Sequence, residues 1–74
     1  MGRLPGEIDG RRFLRAMERL GWRVESQQGS HRKLSHVERG GVLIVAFHDS
    51  LGRNSVRRVL RQVGITEEEF LAVL

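Results

Sequence analysis

Residues 22–47 read WRVESQQGSHRKLSHVERGGVLIVAF, and the fold turns on how this stretch pairs with itself. Trp22 to Gln27 alternates as a half-buried strand does, Trp22 and Val24 to one side, Arg23, Glu25 and Gln27 to the other. Gln28-Gly29-Ser30 supplies a turn, His31 to Val37 a second strand, and Glu38-Arg39-Gly40-Gly41 a second turn. Val42 to Phe47 is the most β-prone run of the chain. A three-residue first loop pairs Gln27 with His31, Glu25 with Lys33, Val24 with Leu34 and Trp22 with His36. A four-residue loop at 38–41 pairs Val37 with Val42, Leu34 with Val45, Arg32 with Phe47 and His31 with His48. The two registers agree, because Trp22, Val24, Leu34, Leu43, Val45 and Phe47 then share one face. A slip by one residue would turn each apolar set outward. The other face carries Arg23, Gln27, His31, Lys33, Ser35 and His48, with Ile44 and Ala46 between them. His31 and His48 are expected as cross-strand neighbours. His36 points toward the helices, as a half-buried packing residue.

Helices flank this core on both sides. Arg3-Leu4-Pro5-Gly6 reads as an irregular lead-in, and Asp9 caps a helix running to Leu20, where Gly21 stops it. Phe13, Met17 and Leu20, with Leu14 alongside, form its apolar stripe, and Arg12, Arg15 and Arg19 share the opposite side. Asn54 or Ser55 is expected to cap a second helix, with Val56, Val59, Leu60 and Val63 facing the core and Gly64 ending it. Thr66-Glu67-Glu68-Glu69 is a capping box opening a third, with Phe70, Leu71 and Leu74 apolar. The expected fold class is α+β, in the order α-β-β-β-α-α, one domain over residues 1–74. Helices cover one face of a three-stranded antiparallel sheet and leave the other wet.

Composition narrows the function. Seventy-four residues bury a marginal core and leave little room for an internal cofactor cavity, so function is expected on the surface and no cofactor is expected. Without cysteine there are no disulfides, thiolate zinc sites or thiol nucleophiles. No apolar run approaches a membrane span and the polar start is no signal peptide, so a cytoplasmic protein away from membranes is expected. Residues 1–61 carry a net charge of +7, and the three remaining acids, Glu67, Glu68 and Glu69, open the last helix. Twelve of the 13 basic residues are arginine, whose planar fork suits phosphate, so a polyanion is the expected partner.

Histidine in a basic setting suggests proton transfer on RNA, which brings its own nucleophile, the 2′-hydroxyl. Such a nuclease needs a base at that hydroxyl, donors at the phosphate oxygens and an acid at the leaving 5′-oxygen. His31 takes the proton-transfer role, Lys33 stabilises the phosphate and His48 is the second proton carrier. The N–H groups of Gly29 and Ser30 help hold the phosphate, glycine admitting close approach. Arg23, Arg57, Arg58 and Arg61 are candidates for RNA binding. Lys33 has a second reading, an ion pair with Glu25, and His48 has one too, a solvated strand end. His31, His48 and Asp49 lack a certain third ligand or a familiar ligand spacing, so no metal site is assigned. Ser30 is poorly placed as a nucleophile, because His31, next to it on an extended strand, points away.

Several pieces in order resemble the HicA/YcfA-type toxin family over nearly the whole chain. They are Leu4-Pro5, the basic helix ending Leu20-Gly21-Trp22, Gln28-Gly29-Ser30-His31 with His36, the Val42–His48 strand, and residues 55–65 followed by Thr66-Glu67-Glu68-Glu69-Phe70-Leu71. The resemblance implies a double-stranded-RNA-binding-like fold and an mRNA interferase, an endoribonuclease toxin of a type II toxin–antitoxin system. It implies that His31, after Gly-Ser, is the essential histidine. The implied partners are mRNA and a HicB-type antitoxin covering the active surface, with the toxin a monomer when alone. The chain departs from the pattern at Asn54-Ser55, where Gly-Thr is common, and at Ala46-Phe47-His48, where proline commonly precedes the histidine. The alternative is a non-catalytic RNA-binding module of the same fold, which would retain RNA intact. A DNA-binding helix-turn-helix is disfavoured, since Glu67, Glu68 and Glu69 would lead into the groove.

Overall fold

The computed structural model describes residues 2–74. The elements run β1 (Glu7–Asp9), α1 (Gly10–Arg19), β2 (Trp22–Gln28), β3 (His31–His36), β4 (Val42–Ala46), β5 (Ser50–Gly52), α2 (Arg53–Val63) and α3 (Glu67–Val73). β2-β3-β4 form the expected antiparallel meander, and the three helices complete an α+β fold. β1 and β5 add a two-stranded antiparallel ladder, Ile8 opposite Leu51, that the periodicity did not reveal. Three residues are too few for alternation to register, and these strands exist only through pairing between distant segments. Burial of Ile8 and Leu51 against the main core holds the ladder in place.

The helix ends follow local chemistry. The Asp9 carboxylate accepts from the Arg11 and Arg12 N–H groups and starts α1. Gly64 ends α2 in the left-handed conformation, and Thr66 with Glu69 forms the capping box of α3. The start of α2 differs from expectation. Gly52, not Asn54 or Ser55, is its N-cap, because β5 runs straight into the helix. The Gly6 carbonyl, rather than a side chain, accepts the Arg53 N–H at 2.9 Å.

Both hairpin registers depart from expectation. Gln28 pairs with His31 around a two-residue turn in which Gly29 alone has positive φ, 61°, as a type II′ turn requires. Trp22 still faces His36 and Val24 still faces Leu34, and a bulge at Glu25 absorbs the difference. Past that bulge Gln27 faces Arg32 on the helix side, while Ser26 and Gln28 face Lys33 and His31 on the open side. Glu25 therefore does not face Lys33. In the second hairpin Leu34 faces Leu43 and His31 faces Ala46, two positions from the expected partner His48.

His36 explains that second shift. Its Nδ1 accepts the N–H groups of Glu38 and Arg39, both at 3.1 Å, and builds a longer loop. Its Nε2 donates to the Leu20 carbonyl at 3.1 Å, and its ring stands edge-on to Trp22. Gly21, with φ 97°, lies so close that a Cβ there would sit 2.5 Å from Nε2. A displacement of two preserves face parity, so the apolar set still points inward.

The core gathers Leu4, Ile8, Phe13, Met17, Trp22, Leu34, Leu43, Val45, Phe47, Leu51, Val56, Leu60 and Phe70. Phe13 packs edge-on to Phe47, 6.1 Å between centroids, and against Phe70 at 5.9 Å, linking the sheet end to α3. Val24, expected inside, is 39% exposed although it pairs with buried Leu34; of the residues of β2 Trp22 is the buried one.

Candidate active site

His31 is the first residue of β3, immediately after the Gly29-Ser30 turn, and is exposed. Alternation puts it on the open face with exposed Lys33, while Leu34 faces the core. Arg23 stands on the same face of β2, opposite Ser35. A Cβ at Gly29 would meet nothing within 4 Å, so the turn backbone is open to a ligand. The open face therefore holds an imidazole at the hairpin tip, an ammonium two residues along β3 and a guanidinium toward the far end of β2. Among the described residues Lys33 and Arg23 form no ion pair.

The turn is anchored from beneath by Arg32. Its Nη1 donates to the Ser30 carbonyl at 2.8 Å and to the Phe47 carbonyl, and its guanidinium lies 3.9 Å from the Phe47 ring centroid. The Phe47 N–H also donates to the Ser30 carbonyl, at 3.0 Å. The Arg32 Nε is buried without an acceptor among the described residues. One side chain thus joins the hairpin tip to the segment leaving β4. Sequence reasoning did not assign Arg32 a part in the site. The available signal was the expected register, which set it beside Phe47.

His48 is exposed, but it is not a strand neighbour of His31. It lines a cleft on the helix side of the sheet with Gln27, Arg32, Asp49 and the start of α1. Among the described residues no three His, Asp or Glu side chains converge in a metal-binding arrangement. The candidate arginines of α2 divide: Arg57 is paired with Glu67 at 3.1 Å, whereas Arg58 and Arg61 are exposed. Arg58 lines a separate depression with Ile44, Ala46 and Gln62 along the outer edge of β4. No helix among the described residues is long and apolar enough to cross a membrane.

The geometry offers a proton carrier and two unpaired cations on an accessible surface, held by a buried scaffold. No curated protein and no solved structure matches the chain. Residues 10–65 of the 74 match the family described as HicA toxin of bacterial toxin-antitoxin, from the first residue of α1 to just past the C-cap of α2. The chain belongs to that family of toxins.

Proposed function

We propose that this toxin is an endoribonuclease that cleaves mRNA at the tip of the β2–β3 hairpin, with His31 as the proton carrier. The observation that carries the reading is an exposed imidazole at an anchored Gly-Ser turn, on an open face shared with Lys33 and Arg23. In the reaction the RNA 2′-oxygen attacks the adjacent phosphorus and gives its proton to His31. The bond from phosphorus to the 5′-oxygen breaks, and that oxygen takes a proton from water as it leaves, while His31 returns its own proton to solvent. The products are a 2′,3′-cyclic phosphate and a 5′-hydroxyl. Lys33 and the N–H groups of Gly29 and Ser30 meet the charge that develops on the non-bridging oxygens. His48 faces a different cleft, so the site works with His31 as its principal proton carrier. The RNA supplies the nucleophile, so the chemistry needs no metal.

A toxin of a toxin–antitoxin pair has an antitoxin as its partner. In this reading a HicB-type antitoxin neutralises it by covering the open face and excluding RNA from His31. Its carboxylates would meet Lys33 and Arg23, which gives fast and salt-sensitive association.

The test is cleavage of a labelled mRNA in EDTA by the wild-type protein and by His31→Ala. The wild type is expected to cut, and the variant to lose about 10²–10⁴-fold in rate. Equal cleavage by both removes His31 from the reaction. RNA bound but retained intact by the wild type replaces the nuclease with a binding module.

A further inference from the structure

Five arginines of this chain are engaged by the fold and three on α1 are not. Arg32, Arg39, Arg53 and Arg19 donate to the carbonyls of Phe47, Val63, Leu4 and Val73, and Arg57 is paired with Glu67. These hold the fold. Arg11, Arg12 and Arg15 are exposed, and their side chains make no hydrogen bond or ion pair among the described residues. With Arg19 they line one depression along α1, together with Asp9 and Leu74. Spacings of three and four residues stack Arg12, Arg15 and Arg19 along one side of the helix, where like charges repel and weaken it. Only Glu18 offsets them within α1.

This depression adjoins the cleft of Gln27, Arg32 and His48, because Asp9 and Arg11 line both. A continuous surface thus runs from the cleft of Arg32, His48 and Asp49, where acids and arginines balance, onto the arginine-rich side of α1. We propose that this side of α1 is a phosphate track that carries the RNA backbone away from the cleaved bond. The inference rests on the reading of the protein as a ribonuclease and extends it to the opposite side of the sheet. A polymeric substrate continues beyond its reacting phosphate and needs neutralisation there. A protein partner is the weaker match. Binding energy between proteins concentrates in aromatic and apolar anchors, and Leu74 is the one apolar residue lining the depression. Arginine forks without such anchors suit phosphates.

The test uses the full chain carrying His31→Ala, to keep RNA intact, and a fluorescein-labelled single-stranded RNA of 20 nucleotides read by anisotropy. Arg12→Gln with Arg15→Gln removes two cations while keeping good helix formers, so the circular dichroism is expected to be unchanged. Loss of two phosphate contacts lowers the slope of log affinity against log salt by about 1.4. Raising salt fourfold then weakens the parent about sevenfold more than the variant. With His31 restored, the same pair is expected to raise KM for the 20-nucleotide RNA and to leave cleavage of a trinucleotide unchanged. Unchanged affinity and salt slope would overturn the track. A loss half as large from Arg3→Gln alone, an exposed arginine away from the depression, would overturn it too, reducing the effect to net charge. Polyglutamate bound as tightly, with the same dependence on Arg12 and Arg15, would assign the stripe to an acidic protein. If the His31→Ala parent binds no RNA at all, the ribonuclease reading falls first and takes the track with it.

Discussion

At Arg32 one guanidinium donates to the carbonyls of Ser30 and Phe47 and stacks on the Phe47 ring. Among the described residues the exposed His31 ring has no such tether, so its position is inherited from the turn that Arg32 holds. Charged donors to backbone carbonyls stabilise more than neutral ones, and removing this one strands the Ser30 carbonyl on a single partner. Arg32→Met is therefore expected to cost about 2–3 kcal/mol in urea unfolding. It should also slow RNA cleavage although His31 remains. Stability within about 0.5 kcal/mol of wild type would show that the tether does not hold the tip. His48 offers the contrast. It lines the helix-side cleft, so His48→Ala is expected to reduce cleavage by no more than about tenfold, against the 10²–10⁴-fold of a principal proton carrier. A loss as large as that of His31→Ala would restore a two-histidine reaction.

Among the elements, α3 shows how local chemistry becomes stability. The Glu69 carboxylate accepts the Thr66 N–H at 3.0 Å, and the Thr66 hydroxyl accepts the Glu69 N–H at the same distance. The Thr66 N–H, then its hydroxyl and the more distant Arg39 charge, hold the Glu69 carboxyl below its ordinary value of 4.5. A carboxylate lowered by folding contributes stability above its unfolded value and loses it as pH falls through its folded value. Glu69→Gln is thus expected to unfold more easily than wild type above pH 4.5, with the gap closing below it, read by denaturant titration across pH. A gap independent of pH would mean that the box acts through shape alone. This capping signal was legible because Thr66 and Glu69 act within one turn, and Asp9 and Gly64 were legible for the same reason. The strand registers were not. The second is set by two N–H groups bonding the His36 ring, and the first by a bulge at Glu25, neither of which leaves a periodic trace. The apolar face survived because the second error was an even number of residues and the first begins only past Val24. The histidine pair did not, because pairing across strands depends on the exact partner.

For the whole molecule, the decisive feature is that the core extends beyond the segment matching the toxin family. Leu4, Ile8 and Phe70 are each about 1% exposed or less, yet all three lie outside residues 10–65. Phe70 fills the space against Phe13, and Ile8 joins the β1–β5 ladder that feeds α2. A chain of 74 residues has about 4–11 kcal/mol of stability in all. Phe70→Ala removes about 3–5 kcal/mol of it by leaving a cavity beside Phe13. That variant is expected to melt far below wild type. A fragment limited to residues 10–65, lacking all three side chains, is expected to show no cooperative thermal transition by circular dichroism. A cooperative melt from the fragment would mean that α1, α2 and the meander form a core on their own. The hairpin tip and α1 would then not depend on the contact of Phe13 with α3. A failed melt together with the loss in Phe70→Ala instead ties His31 to Phe70 through Phe13, Phe47 and Arg32, a chain of contacts spanning the domain.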